Sequence, residues 1–353
     1  MRKVLLGLLG AAAGLAVLVD CVGDSASTNT ANSDGGSTTT EDGSTAQASD
    51  GGSQTSGDGA VTGLDGGGTT TDGGTDGGPA CNLAKPFNAP ALLNSVSTGD
   101  TDEMARISPN GLELFVAHYA AGAPRVIARY TRVDLNSPWT FADDDTTLSS
   151  TTPDAGRTTA TALTLDPTGT TAYFQYYPSP TNGSDSRIYV TSRPAAGSNQ
   201  WGAQSEVPGI HATATDEAPM LSASGNRLYF FTSRLGGYHI YSANKSGNGF
   251  LAPTAVFAAS PDNDRYPVLS PDELTMYIGS YGVVDGGANP FMGVYVTSRS
   301  KSSDGFGPPV YVPELNLPGS FTAPTWLSPD GCQILLTSNR GANFNIWLAV
   351  KPK

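Results

Sequence analysis

Five times along this chain a tight turn recurs between two apolar runs: Ser108-Pro109-Asn110-Gly111, Asp166-Pro167-Thr168-Gly169, Ser222-Ala223-Ser224-Gly225, Ser270-Pro271-Asp272-Glu273 and Ser328-Pro329-Asp330-Gly331. Pro presets φ at the first central turn position, Asp or Asn is tolerated after it, and Gly supplies the positive φ that sends the chain back antiparallel. The copy at Ser222 lacks Pro, and the copy at Ser270 has Glu273 where Gly is the rule. Successive turns are 58, 56, 48 and 58 residues apart. Short alternating strands repeating about every fifty residues specify an all-β chain folded as a β-propeller.

The repeat predicts blades of four strands. The innermost leads into the turn, as at Met220-Leu221 and Tyr266-Pro267-Val268-Leu269, and the second leaves it, as at Leu112 to Val116 and Arg227 to Phe231. The third is Arg187-Ile188-Tyr189-Val190-Thr191-Ser192-Arg193, nearly repeated from Gly293 to Arg299. Such alternation marks half-buried strand. A fourth strand starts near an aromatic at Trp139 to Phe141, Trp201, Phe250 and Phe306. The final repeat stops after its third strand, Asn345 to Val350, whereas Phe87 to Leu93, ahead of the first repeat, carries the fourth-strand pattern. Pairing these two closes the ring and removes the exposed sheet edges. The count is five blades, or six if Val133 to Asp154 hides further strands.

Upstream of the repeats the composition changes twice. Arg2 and Lys3 precede an apolar run from Val4 to Val19, short for a bilayer span and charged like a secretory signal. Leu18-Val19-Asp20-Cys21 resembles a bacterial lipobox, which implies acylation of Cys21; Asp20 departs from the small residue usual there, and cleavage without lipidation is the alternative. Val22 after the cysteine is not acidic, and by the same resemblance this implies the outer membrane. Residues 22–80 are Gly, Ser, Thr and Asp with almost nothing to bury, which describes a disordered tether. A Gly-rich coil of that length has an end-to-end distance of about 40 to 45 Å. The chain thus divides into a leader (1–21), a tether (22–80) and one propeller domain (81–353).

The leader sums to +1 and the tether to -9, so of the whole chain's -13 the propeller carries -5. A mildly acidic domain without a basic stripe argues against nucleic acid and against direct docking on anionic lipid, leaving the lipid anchor as the membrane contact. The chain has three Cys and three His, and their spacing fits no zinc cluster. In an oxidising compartment Cys81 and Cys332 either pair, reinforcing ring closure, or remain as two buried thiols. No Gly-x-Ser-x-Gly elbow, phosphate loop or His-Glu-x-x-His helix occurs, so no cofactor or metal is expected.

Pro219 to Tyr241, with Thr232-Ser233-Arg234-Leu235-Gly236-Gly237 and Ile240-Tyr241, and Ser328 to Trp347, with Ser338-Asn339-Arg340-Gly341, carry a further likeness. They resemble the WD-repeat-like Pro-Asp propeller family that includes the TolB propeller. The resemblance covers residues 81–353 at the level of the repeat and implies a periplasmic or surface binding scaffold; some relatives carry an enzyme domain beside the propeller.

Function is expected at the funnel mouth, where blade connections and the loops between second and third strands gather. Asp102-Glu103, Asp216-Glu217 and Asp264-Arg265 stand at equivalent places just ahead of their inner strands. Paired carboxylates there suit a cation, a basic peptide or acid-base work on a glycoside; equally, repeated acids cap backbone N-H groups or pair with a loop arginine such as Arg234 or Arg340. His118 and His211 lie close by, or are simply solvated. Tyr119, Tyr176, Tyr177, Tyr238 and Tyr281 suit a stacking rim for sugar or peptide, and also ordinary packing. These features describe a monomeric, exported, non-catalytic scaffold whose partner is an envelope protein, peptide or glycan. A carbohydrate-active enzyme using the funnel acids is the alternative.

Overall fold

A computed structural model describes residues 81–120, 126–149, 161–176, 186–211, 214–257, 263–284, 287–288 and 291–353. The apolar leader, Cys21, the tether and Tyr177 lie outside these residues. The described chain forms five antiparallel blades of four strands arranged as a five-bladed β-propeller, blade three adding the short strand Gly249–Phe250 to its sheet, with a two-stranded ribbon at Val283–Val284 and Gly287–Ala288, a short α-helix at Thr146–Ser149 and a 3-10 turn at Pro313–Leu315. The inner strands are Thr101–Ile107, Thr161–Leu165, Asp216–Leu221, Arg265–Leu269 and Thr322–Leu327. The segment considered for extra strands contributes the outer strand of blade one, Thr140–Asp144, and the short helix. Its described residues, 133–149, add no sixth blade.

All five turns close in the same way. Gly111, Gly169, Gly225 and Gly331 donate to the carbonyls of Ser108, Asp166, Ser222 and Ser328, each at 2.8 Å. Glu273 makes the matching bond to Ser270 at 2.9 Å while holding φ at 58°, in the left-handed region that Gly331 occupies at 70°. The strain at Glu273 is offset by its carboxylate, which accepts from Tyr229 Oη of the preceding blade at 2.8 Å and lies 3.4 Å from Arg227 and Arg299. The two irregular turns therefore keep the repeat, one without Pro and one without Gly.

A second device ties the turn to the outer strand in three of the blades. In blades one, two and four the residue after the third strand is an arginine whose Nε donates to a turn carbonyl: Arg132 to Gly111 (2.6 Å), Arg193 to Gly169 (2.7 Å) and Arg299 to Glu273 (2.7 Å). The same guanidinium groups lie 4.3, 4.7 and 4.3 Å from the ring centres of Trp139, Trp201 and Phe306. These are the aromatics that precede the outer strands, and such contacts are each worth roughly 0.5 to 2 kcal/mol. In blade five Lys351 takes this part, over Phe87 at 4.5 Å and donating to the carbonyls of Leu83 and Lys85.

Ala91–Leu92 is the fourth strand of the last sheet, with Ala91 opposite Leu348 and Leu92 opposite Trp347. Backbone bonds from Asn88 to Val350 and from Leu93 to Ile346, both 2.9 Å, extend the pairing. Five apolar clusters follow, one for each interface between neighbouring blades. The cluster joining the last blade to the first contains Leu335 and Ile346 with Leu114, Val116 and Tyr130. Phe87 joins blade four to blade five, edge-on to Tyr277. Each blade is thus apolar on both faces, and the core is a ring of interfaces.

Cys81 is bonded to Cys332, with Cα atoms 5.7 Å apart. The incoming chain passes beyond the end of the third strand, where Lys351 N donates to Cys332 O and Asn82 N to Pro352 O, both 2.8 Å, so it need not cross that strand. Replacing both cysteines by serine is expected to lower stability by about 2 to 5 kcal/mol, read as the shift in urea midpoint between oxidised wild type and the variant. A buried charge pair links blades one and two: Arg193 Nη2 donates to Glu113 Oε2 at 2.6 Å and Arg129 reaches the same carboxylate at 3.2 Å. Glu113→Ala strands Arg193 without its counter-charge. It is expected to cost about 3 to 5 kcal/mol, measured by the same denaturation.

Candidate functional site

Each inner strand carries a β-bulge, and in four of them a non-glycine residue adopts positive φ at the same place: Met104 (55°), Ala162 (49°), Ala218 (46°) and Tyr266 (53°). Blade five has Pro324 there, whose ring forbids that conformation, and its bulge is correspondingly one residue shorter. Just ahead of the bulge the chain presents Glu103, Thr161, Glu217, Arg265 and Ala323 in turn, and before these stand Asp102, Asp216, Asp264 and Thr322.

These outermost acids are buried: Asp102 and Asp216 are 0% exposed and Asp264 1%. Their backbone N-H groups clasp the preceding blade. Asp102 donates to Phe344 O (2.9 Å), Asp216 to Ser186 O (2.9 Å), Asp264 to Tyr238 O (3.0 Å) and Thr322 to Met292 O (2.8 Å). The Asp102 carboxylate accepts from Thr98 N at 2.9 Å and meets His118 Nδ1 at 2.9 Å. Asp216 accepts from Arg234 Nη2 at 2.7 Å, with His211 Nδ1 3.5 Å from its other oxygen. Arg234 also donates to Ile210 O, and Arg340, its counterpart in blade five, donates to Leu315 O (2.6 Å) and Thr322 Oγ1 (3.3 Å). Asp102, Asp216, Arg234 and Arg340 are therefore engaged in holding blades and their connections together. His118 is bound to Asp102 and is not simply solvated.

The residues one step further in form a different group. Burial pushes the Glu217 carboxyl up, against Ser186, Arg265 and Gln175, which pull it down. Arg265 lies 3.9 Å from the ring centre of Tyr238 and 5.7 Å from that of Tyr281. Its Nε is buried without a hydrogen-bond acceptor. Tyr266 packs edge-on to Phe231, and burial, with the nearby charges of Glu217 and Glu103, holds its hydroxyl well above the ordinary tyrosine range. Glu103, Glu217, Arg265, Tyr266, Tyr238 and Tyr281 thus converge on one end of the axial channel. Tyr119 stands at the end of the second strand of blade one, half-buried.

Tyr176 does not join this rim. It is buried between blades one and two, edge-on to Tyr189 at 4.8 Å, because its side chain alternates toward the neighbouring blade. Tyr266 and Arg106, both central to the channel, are not among the residues singled out from the sequence. The signal was present: Tyr266 follows Asp264-Arg265 as Met104 follows Asp102-Glu103, and a bulge there turns these side chains inward. Among the described residues no group of three His, Cys, Asp or Glu is placed to hold a metal ion.

The chain is thus a five-bladed propeller with a polar, aromatic-lined mouth. No family model matches the chain and no curated protein matches it. Solved structures do: TolB from Acinetobacter baumannii is similar at 14% identity and TM-score 0.41, over 72% of this chain and 55% of that one. The α-L-arabinofuranosidase of Podospora anserina, solved with cellotriose, is similar at 14% identity and TM-score 0.46, over 76% of this chain and 98% of that one. The catalytic domain of an α-L-arabinofuranosidase from Coprinopsis cinerea gives 12% identity and TM-score 0.45, over 76% and 97%. Identities this low leave partner and substrate unassigned.

The raised Glu217 gives a pH test. A carboxyl whose pKa is higher folded than unfolded favours the folded state when protonated, so its ionisation destabilises the protein as pH rises from the ordinary glutamate value of 4.5 through the folded value. Glu217→Gln is expected to melt above wild type at pH 7. The difference should close as pH falls below 4.5, by calorimetry across that range.

Proposed function

We propose that this protein is an exported, membrane-tethered propeller that works as a non-catalytic binding scaffold in the cell envelope and takes an envelope protein or peptide at the funnel mouth. The carrying observation is the division of labour among the mouth residues. Asp102 and Asp216 are enclosed and bonded to Thr98, His118 and Arg234, whereas Arg265, with an unpaired Nε, is stacked on Tyr238 beside Tyr281. Guanidinium and tyrosine side chains with spare bonding capacity are the groups enriched where proteins bind partners. The Cys81–Cys332 bond supports an oxidising compartment, in keeping with the leader and the lipobox-like Cys21.

The second reading is a carbohydrate-active enzyme, favoured by one observation. Glu217 is pushed toward its protonated form and shares the surroundings of Tyr266 with Glu103, an arrangement that would suit a general acid and a second carboxylate. Immobilised full-length protein incubated with envelope extract is expected to retain a partner that the Arg265→Ala, Tyr238→Ala variant loses, while Glu217→Gln retains it. Release of reducing sugar from envelope glycans that disappears in Glu217→Gln, with no retained partner, would decide for the enzyme. A glycan retained without turnover replaces the protein partner and leaves the scaffold standing.

A further inference from the structure

Deeper in the channel lies a cation that no carboxylate among the described residues neutralises. Arg106 is on the inner strand of blade one, 5% exposed, and its Nη1 reaches Met220 Sδ of blade three at 3.1 Å. Blades one and three are not neighbours in a ring of five, so the side chain crosses the channel past the inner strand of blade two. A thioether is a weak acceptor and carries no charge. Arg106 Nε is buried without an acceptor, and no carboxylate among the described residues pairs with the guanidinium. Glu113, on the strand beside it, is committed to Arg193 and Arg129.

An isolated buried charge is costly, and natural interiors pair it or neutralise it. Burial drives the Arg106 guanidinium down to about 9, with no opposing charge to lift it. Guanidinium groups nevertheless stay protonated in proteins. The cost therefore becomes a demand for an anion.

We infer that Arg106 holds a small monovalent anion, of the charge and size of chloride, on the propeller axis between blades one and three. Its free N-H donors supply charge-assisted bonds in a low-dielectric setting. Met104, on the same strand, packs both against the cluster between blades one and two and against the one between blades three and four, so it takes up room on the axis and favours a halide over a polyatomic anion. The ion would lock three blades to one centre, a structural role independent of any partner at the mouth.

Crystals of the full chain soaked in sodium bromide test this directly. The expected result is an anomalous difference peak within hydrogen-bonding reach of the Arg106 guanidinium; bromide found only elsewhere, or not at all, overturns the assignment. In solution, at constant ionic strength against sodium gluconate, sodium chloride is expected to raise the wild-type thermal midpoint by about 2 to 3 °C at a tenfold excess over the dissociation constant. Sodium acetate in a parallel arm reports whether a carboxylate also enters; a rise with acetate and none with chloride overturns the halide. Arg106→Met is expected to abolish the chloride response, and a response of equal size in the variant overturns the site. Should Arg106→Met fail to fold, the bromide map of the wild type decides alone.

Discussion

Two residues near the start of the repeats, Ala91 and Leu92, hydrogen-bonded to the last strand of the chain, are the contact on which the architecture depends. Without them blade five would expose the edge of Asn345–Val350, and Phe87 would leave the interface between blades four and five. The pairing spans nearly the whole described sequence, so its loop-closure entropy is large. The Cys81–Cys332 bond and the Lys351 contacts with Leu83 and Lys85 sit beside it and act on the same joint. Reinforcement is concentrated where the ring is discontinuous.

The ring also settles what buried polar groups are for. Where strands from neighbouring blades meet at the mouth, backbone groups at the start of each inner strand face the previous blade, and four clasps of 2.8 to 3.0 Å satisfy them. Acids at those positions are enclosed by the clasps, which is why Asp102 and Asp216 take hydrogen bonds from the scaffold. One residue later, ahead of the bulge, strand alternation points the side chain the other way. Glu217, Arg265 and Tyr266 consequently occupy the channel, and the left-handed backbone at Met104, Ala162, Ala218 and Tyr266 is the local strain that accompanies the bulge.

Charge is handled differently at the two ends of the channel. On the turn face, arginines follow the third strands and find carbonyls, aromatic faces and, for Arg193, the Glu113 carboxylate. On the axis, Arg106 and Arg265 keep an Nε without any acceptor. The first kind of arginine is part of the blade's own repeat. The second lies outside it, since the places matching Arg106 in the other blades are Thr164, Met220, Val268 and Trp326. Arg106 is thus a departure from its repeat that falls on the axis.

The repeated Pro-Asp turns, the strand alternation and the stray fourth-strand pattern at Phe87 determined the blade and its closure and narrowed the number to five or six, because these depend on local turn chemistry and on a period of two; the tertiary structure made it five by placing Thr140–Asp144 as the outer strand of blade one. Local pattern also tolerated its own exceptions: Glu273 replaces Gly and still turns. Sequence marked Asp102, Glu103, Asp216, Glu217 and Asp264 as one kind of acid, whereas the fold divides them: ordinary strand alternation ahead of the bulge sends Asp102 and Glu103, or Asp216 and Glu217, to opposite sides, and only the ring decides which side is enclosed and which faces the channel. Tyr176 shows the same limit, drawn into the core by the blade beside it. Only the closed ring decided that Arg106 would cross to Met220, because the distance between blades one and three is a property of the circle and of neither strand.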